Sequence, residues 1–206
     1  MVNVLGIDEA GRGPVIGPLV MVGFLMDEKD LKLLTQLGVK DSKQLTEARR
    51  EELEPKLREL GEVFMEVIHP WQIDVENLNV LERKAAKRII AAAKPNQAFV
   101  DAFEKNLDKK LQTQGVKIIA EYKADDTYPV VGAASIVAKV HRDRAIKDLA
   151  KKHGPMGSGY PSDPMTRKFV EAWIKEHKTI PDFIRKSWGT TRNIIEKAEQ
   201  KPLTDF

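Results

Sequence analysis

The sequence predicts an α/β fold for this 206-residue chain, on three observations. Short apolar runs of strand character alternate with longer segments of helical period, the pattern of sheets covered by helices. No internal repeat or low-complexity tract interrupts that alternation. The length suits one domain with a substantial core. The expected division is a main body over residues 1–154, a helical segment over 155–199 and a short polar tail over 200–206.

Each element has its own signal. Val2 to Asp8 and Leu19 to Leu25 read as strands, and the GRGPVIGP between them, rich in Gly and Pro, makes a tight connection between antiparallel neighbours. Thr46 is placed to cap a helix carrying Leu53, Leu57 and Leu60 on one face and closing at Gly61, with Pro55 expected to bend it. Val63 to Ile68 reads as a third strand, and Leu78, Leu81, Ala85 and Ile89 share one side of a second helix. Ala98 to Asp101 and Val116 to Tyr122 are short buried strands around an amphipathic segment, Glu104 to Gln112, which makes a βαβ pattern. A long helix is expected from Pro129 to Lys152, with Gly154 past its end and a small-residue run, GAAS, that permits close packing. Asp163 then caps, and Pro164 opens, a helix with Phe169, Trp173 and Ile174 on its apolar face. Beyond Lys197 a frayed end is expected.

Composition removes several classes of function. The chain has no Cys, which excludes disulfides and thiolate metal sites and points to a reducing compartment. The N-terminal VNVLGIDEAG lacks a basic stretch followed by an apolar one, and no apolar run approaches eighteen residues. A soluble, cytoplasmic protein without a membrane partner is therefore expected. The formal net charge is only +3, so the placement of charges, and not their balance, must carry any argument about nucleic acid. His69, His141, His153 and His177 show no metal-binding spacing, and the glycine-rich stretch 154–159 lacks the Lys and Ser/Thr of a phosphate-binding loop.

Four acidic residues stand at or just past the ends of apolar strands: Asp8, Glu9, Asp101 and Asp125. Asp126 adjoins the last of them, and spacing alone does not separate the two. Residues just past the carboxyl ends of parallel strands converge on one rim of a sheet. Carboxylates gathered there repel, and cations or protons must compensate them. With no Cys and no suitably spaced His, the ions that fit are Mg²⁺ or Mn²⁺. Two such ions roughly 4 Å apart form the usual clamp for in-line phosphodiester hydrolysis. Any one of these carboxylates alone reads as well as a cap or turn residue; the four together point to the metal site.

Six motifs carry a family resemblance: DEAGRGP at Asp8 to Pro14, DSKQLT at Asp41 to Thr46, VDAF at Val100 to Phe103, KADD at Lys123 to Asp126, AASIVAKVHRD at Ala133 to Asp143, and GSGYPSDP at Gly157 to Pro164. In that order, over most of the chain, they resemble the archaeal-type ribonuclease HII family. The resemblance implies a ribonuclease H-like mixed five-stranded sheet flanked by helices, its first three strands antiparallel, with the C-terminal helical segment completing the substrate cleft. It implies a monomeric endonuclease that hydrolyses the RNA strand of RNA–DNA hybrids and nicks duplex DNA 5′ of single embedded ribonucleotides, with two divalent ions, Mg²⁺ or Mn²⁺. By the same resemblance, Asp8, Glu9, Asp101 and Asp125 are the metal ligands, Asp8 bridges both ions, and Asp125 is preferred to Asp126.

Gly11, Arg12 and Gly13 match the loop that reads the ribose, where glycines let backbone groups approach the 2′-hydroxyl. Tyr160 matches a tyrosine set against the sugar beside the junction. Lys43, Ser135, Lys139 and Arg142 fall in matched segments and are candidates for holding phosphates; Lys139 and Arg142, three residues apart, share a helical face. Arg185, Lys186 and Trp188 in IRKSW either extend the duplex-binding face or, for Trp188, anchor the last helices. Ribonuclease HIII, a junction resolvase and a non-catalytic nucleic-acid-binding module are the alternatives, and the glycine loop with Tyr160 and the intact carboxylates weigh against them. The tail QKPLTDF resembles a sliding-clamp-binding motif, with Gln200, Leu203 and Phe206 at the motif's three-residue spacing.

Overall fold

The computed structural model describes residues 2–39 and 45–199. In chain order the strands are β1 (Asn3–Ala10), β2 (Leu19–Asp27), β3 (Glu62–Ile68), β4 (Gln97–Asp101) and β5 (Lys117–Glu121). A short 3-10 turn, Glu28–Asp30, leads into α1 (Leu31–Gln36), and α2 (Glu47–Leu60) precedes β3. Between β3 and β4 lie α3 (Pro70–Val75) and α4 (Leu78–Ala93), and α5 (Leu107–Leu111) connects β4 to β5. After β5 come α6 (Ala124–Thr127), α7 (Pro129–His153), α8 (Pro164–His177) and α9 (Gly189–Glu199). None of the described helices is long and apolar enough to cross a membrane.

The sheet order is β3-β2-β1-β4-β5. β1 and β2 are antiparallel, from Asn3 opposite Asp27 to Ala10 opposite Val20. β4 runs parallel to β1, and β5 parallel to β4. This is the expected mixed sheet, and most expected helices form where their caps are written. Thr46 Oγ1 accepts from the Arg49 N–H, α2 closes at Gly61, and it runs through Pro55 without a break. The Asp163 side chain accepts from the Met165 N–H at the start of α8. α1, α3 and α6 are only four to six residues long, too short to show a helical period, and are not among the expected elements. The amphipathic segment over 104–112 narrows to the five residues of α5.

The chain forms two compact units. The first contains Met1–Ala10, Val20–Val67 and Leu78–Arg142; the second contains Gly11–Leu19, Ile68–Asn77 and Asp143–Phe206. The division therefore falls inside α7, earlier than the expected boundary at residue 154, and it assigns the β1–β2 connection to the second unit. That connection is not a simple tight turn: Ile16 bridges to Ile184, and the Val15 and Ile16 N–H groups both donate to Gly159 O.

In the first unit the sheet is covered on both faces. Val4, Val20, Val22 and Phe24 are buried in one cluster with Leu53 and Leu57 of α2 and with Val130, Val131 and Ala134 of α7. On the opposite face Ile89 of α4 packs over Gly23 and Leu5. The approach of α7 is close: a Cβ on Gly6 would lie 2.3 Å from the backbone carbonyl carbon and oxygen of Val130. Only glycine fits there, because the obstacle is backbone and cannot rotate away. The second unit has its own core of Val15, Ile16, Met156, Val170, Phe183 and Ile184. Gly6→Ala is expected to destabilise the protein by about 3 kcal/mol through this overpacking, read as a lowered urea midpoint; an unchanged midpoint would show that α7 does not press on β1.

Candidate active site: a buried carboxylate cluster and a clamped glycine loop

The parallel pairing of β1 with β4 ends with Ile7 beside Val100. One residue further, the same register sets Asp8 level with Asp101. Alternation along β1 puts Asp8 on the side of Val4 and Gly6, the face covered by α7. There the side chain is buried. Its Oδ1 accepts from the Glu9 N–H at 2.7 Å, and the hydroxyl of Ser135, fully buried on α7, donates to the same carboxylate. The third carboxylate arrives by a relay. Asp101 Oδ1 accepts from the Ala124 N–H at 2.9 Å, after Lys123 has reversed the chain in a left-handed conformation with φ 62. That bond ties the end of β4 to α6 and so places Asp125, which is only 2% exposed, whereas Asp126 is exposed.

Burial pushes the Asp8 carboxyl up to about 7, and the like charges of Asp101 and Asp125 add to the shift. The Ser135 hydroxyl and the Glu9 N–H oppose it without cancelling it. Asp8, Asp101 and Asp125 are thus close enough to repel. Glu9 follows one residue on and is half-buried. Among the described residues no three His, Asp or Glu side chains stand as a ready-made metal cage. The donor chemistry nevertheless fits a hard divalent cation. The carboxylates offer oxygen only, and the negative charge at Asp8 is under-compensated as it stands.

The expected phosphate contacts separate. Ser135 is fully buried and bonded to Asp8, so its hydroxyl orients a carboxylate. Arg142 is buried as well, and Lys139 is half-buried on the same helix. Lys43 lies outside the described residues, as do Gln200, Leu203 and Phe206. His141 turns toward α2, with Nε2 2.9 Å from Arg58 Nη2 and 3.4 Å from Glu54 Oε1.

Within the second unit the glycine loop is held from beneath. Gly11 has φ 102, a conformation suited to glycine. The fully buried Arg185 donates from Nη2 to Gly11 O at 2.6 Å and from Nη1 to Arg12 O at 3.0 Å. It also reaches Gly17 O from Nη2 at 3.1 Å and from Nε at 3.3 Å. Trp188 Nε1 donates to Gly13 O at 3.3 Å, and its ring lies 4.9 Å from the Arg185 guanidinium carbon. Tyr160 borders the same loop: a Cβ on Gly13 would stand 3.5 Å from Tyr160 Cε1. The turn that carries Tyr160 is fixed by Asp163, which accepts from the Ser158 N–H, a bond that holds its carboxyl below the usual range. Arg185 and Trp188 therefore support the loop from inside, a role the sequence signalled only through the compact IRKSW cluster.

A mixed sheet whose neighbouring parallel strands deliver clustered carboxylates to one end defines the ribonuclease H-like class of phosphodiester hydrolases. The family model described as ribonuclease HII matches residues 5–191. A ribonuclease HII of Methanococcus maripaludis strain C5 is 43% identical over 97% of this chain and 90% of its own length. The crystal structure of ribonuclease H2 from Pyrococcus horikoshii OT3 superposes with a TM-score of 0.91 at 39% identity, covering 97% of this chain and 100% of that one. The ribonuclease HII in the PCNA complex from Archaeoglobus fulgidus gives a TM-score of 0.87 at 41% identity, covering 98% and 100%. The chain belongs to the ribonuclease HII family.

The raised Asp8 carboxyl carries a consequence for stability. An acid that folding makes weaker contributes stability fully below its ordinary pKa of 3.8, and loses that contribution as pH rises through about 7. Without divalent ions, Asp8→Asn is expected to be more stable than the parent at pH 8 by on the order of 3 kcal/mol and nearly equal to it at pH 4. Urea unfolding in chelator across that range measures this; parallel profiles would show that Asp8 is not under-compensated.

Proposed function

We propose that the chain hydrolyses the RNA strand of RNA–DNA hybrids and nicks duplex DNA on the 5′ side of single ribonucleotides. Water adds to phosphorus, the bond to the upstream O3′ breaks, that oxygen leaves as a hydroxyl, and the ribonucleotide keeps a 5′-phosphate. The observation that carries this reading is the under-compensated charge of Asp8 beside Asp101 and Asp125, in a chain of this family.

Asp8, Asp101 and Asp125 would hold Mg²⁺ or Mn²⁺, with Glu9 as the fourth carboxylate that the family pattern assigns. Two such ions, when bound, supply Lewis-acid activation of the water and charge stabilisation of the leaving oxygen. The protein's own groups act around them. Ser135 fixes the rotamer of Asp8, and the Ala124 N–H holds Asp101. The backbone of Gly11, Arg12 and Gly13 reads the 2′-hydroxyl, the group that separates RNA from DNA. Tyr160 lies flat against the sugar beside the junction. Lys43 and Lys139 meet phosphates and contribute sequence-independent binding; Arg142, a candidate by resemblance, is buried and is left out of this set.

An end-labelled duplex with one ribonucleotide tests the reading, incubated with Mg²⁺ or Mn²⁺. One nick 5′ of the ribonucleotide is expected, with no cleavage of the all-DNA control. Asp8→Asn should remain folded and fall to background. Tyr160→Ala should lose cleavage at the single ribonucleotide by a larger factor than it loses duplex affinity. Equal cutting of the all-DNA duplex, or near-normal activity of Asp8→Asn, would overturn the assignment.

The tail extends the same reading to a partner. Gln200, Leu203 and Phe206 match the spacing of a clamp-binding motif, and a relative 41% identical has been solved in complex with PCNA. Tethering to a ring that encircles DNA would raise the local concentration of an enzyme that scans duplexes for rare ribonucleotides. Deleting residues 200–206 is expected to abolish clamp binding in a titration while a short free duplex is cut as before. Equal clamp affinity of the full-length and truncated chains would exclude the tail as the contact.

A further inference from the structure

We infer that Arg185, with Trp188, is the positioning residue of the ribose-reading loop, an inference that rests on the assignment of Gly11, Arg12 and Gly13 to that task. The reason lies in peptide geometry. Among the described residues none of the peptide bonds is cis, so each C=O points opposite to the N–H of the residue that follows. Arg185 draws in Gly11 O and Arg12 O, and Trp188 draws in Gly13 O. The N–H groups of Arg12 and Gly13 are therefore turned away from the guanidinium. The side chains that fix the carbonyls thus decide where the loop presents its donors.

The device is built to hold one conformation. A guanidinium carries its five N–H donors in a rigid plane, and here that plane spans three carbonyls, those of Gly11, Arg12 and Gly17. The third contact closes the loop on itself, because Gly17 lies at its far end. Gly17 is also pinned by its own N–H, which donates to Phe183 O, and the Arg185 N–H donates to Val15 O. Arg185 itself is held from the other side of its segment, where the Asp74 carboxylate accepts from the Lys186 N–H at 3.0 Å and from the Ser187 N–H at 2.8 Å. A lysine at 185 would keep the charge and lose the fork. Phenylalanine at 188 would keep a ring over the guanidinium and lose the bond to Gly13 O.

Arg185→Lys and Trp188→Phe test the inference, each checked for folding by thermal melting. Three quantities are compared with the parent: kcat/KM on the single-ribonucleotide duplex, affinity for an all-DNA duplex of the same sequence, and kcat separately from KM. Misplacing the reading groups is expected to lower kcat/KM about 10- to 100-fold, mostly in kcat, and to leave all-DNA affinity within about twofold of the parent, because phosphate contacts dominate it. A merely structural role would lower the melting point with both quantities falling together. Cleavage at parental rates by folded variants, or a parallel loss of cleavage and all-DNA affinity, overturns the inference. If Arg185→Lys does not fold, Trp188→Phe decides alone. Failure of the parent itself to distinguish a ribonucleotide from DNA would overturn the ribose reading instead, and so is distinguishable.

Discussion

The contact between Gly6 of β1 and the first turn of α7 governs the chemistry of the first unit. It is an approach of backbone to backbone, so no side-chain adjustment can replace it. It lowers α7 onto the sheet and brings Ser135 to Asp8, and the burial that results is the largest cause of the raised Asp8 carboxyl. The protein thereby accepts a charged group in a position where charge is costly. The hydroxyl of Ser135 and the N–H of Glu9 recover part of that cost, and the apolar cluster around α7 and α2 supplies the stability that lets the arrangement persist.

The second unit solves a different problem, that of keeping a glycine-rich loop still. Glycines lose more conformational freedom on folding than other residues, so a loop rich in them keeps one conformation only if neighbours hold it. Here the fixing is done from within, by a buried guanidinium and an indole that take up the loop's carbonyls, while Gly159 takes up the N–H groups of Val15 and Ile16. Tyr160, the next residue, is placed by the same bond.

The sheet and the long helices were legible because their signals are local: alternation in β1 and β2, the Thr46 and Asp163 caps, Pro129 and Gly154 around α7. The carboxylates were legible as a set because each terminates or follows an apolar strand. What remained hidden depends on three-dimensional neighbours. Asp125 and Asp126 are equivalent in sequence, and burial against α7 separates them. Ser135 looked like a phosphate contact because its segment matched a substrate-facing motif, yet helical phase points it at Asp8. The IRKSW segment carries charge that suits a surface as well as a core, and only the fold reveals that Arg185 is buried.

The tie between Arg185 and Gly11 spans 174 positions of the chain, nearly its whole length. The pairing of β1 with β2 joins neighbours in sequence, whereas the loop between them waits for residues made almost last. Contacts of such high sequence separation form late, because their loop-closure entropy is met only once the intervening chain is organised. An emerging chain therefore makes its carboxylate strand long before the guanidinium that fixes the Gly11–Gly13 loop. The fixed conformation of that loop is among the last features the molecule acquires, and one that a product ending before Arg185 lacks.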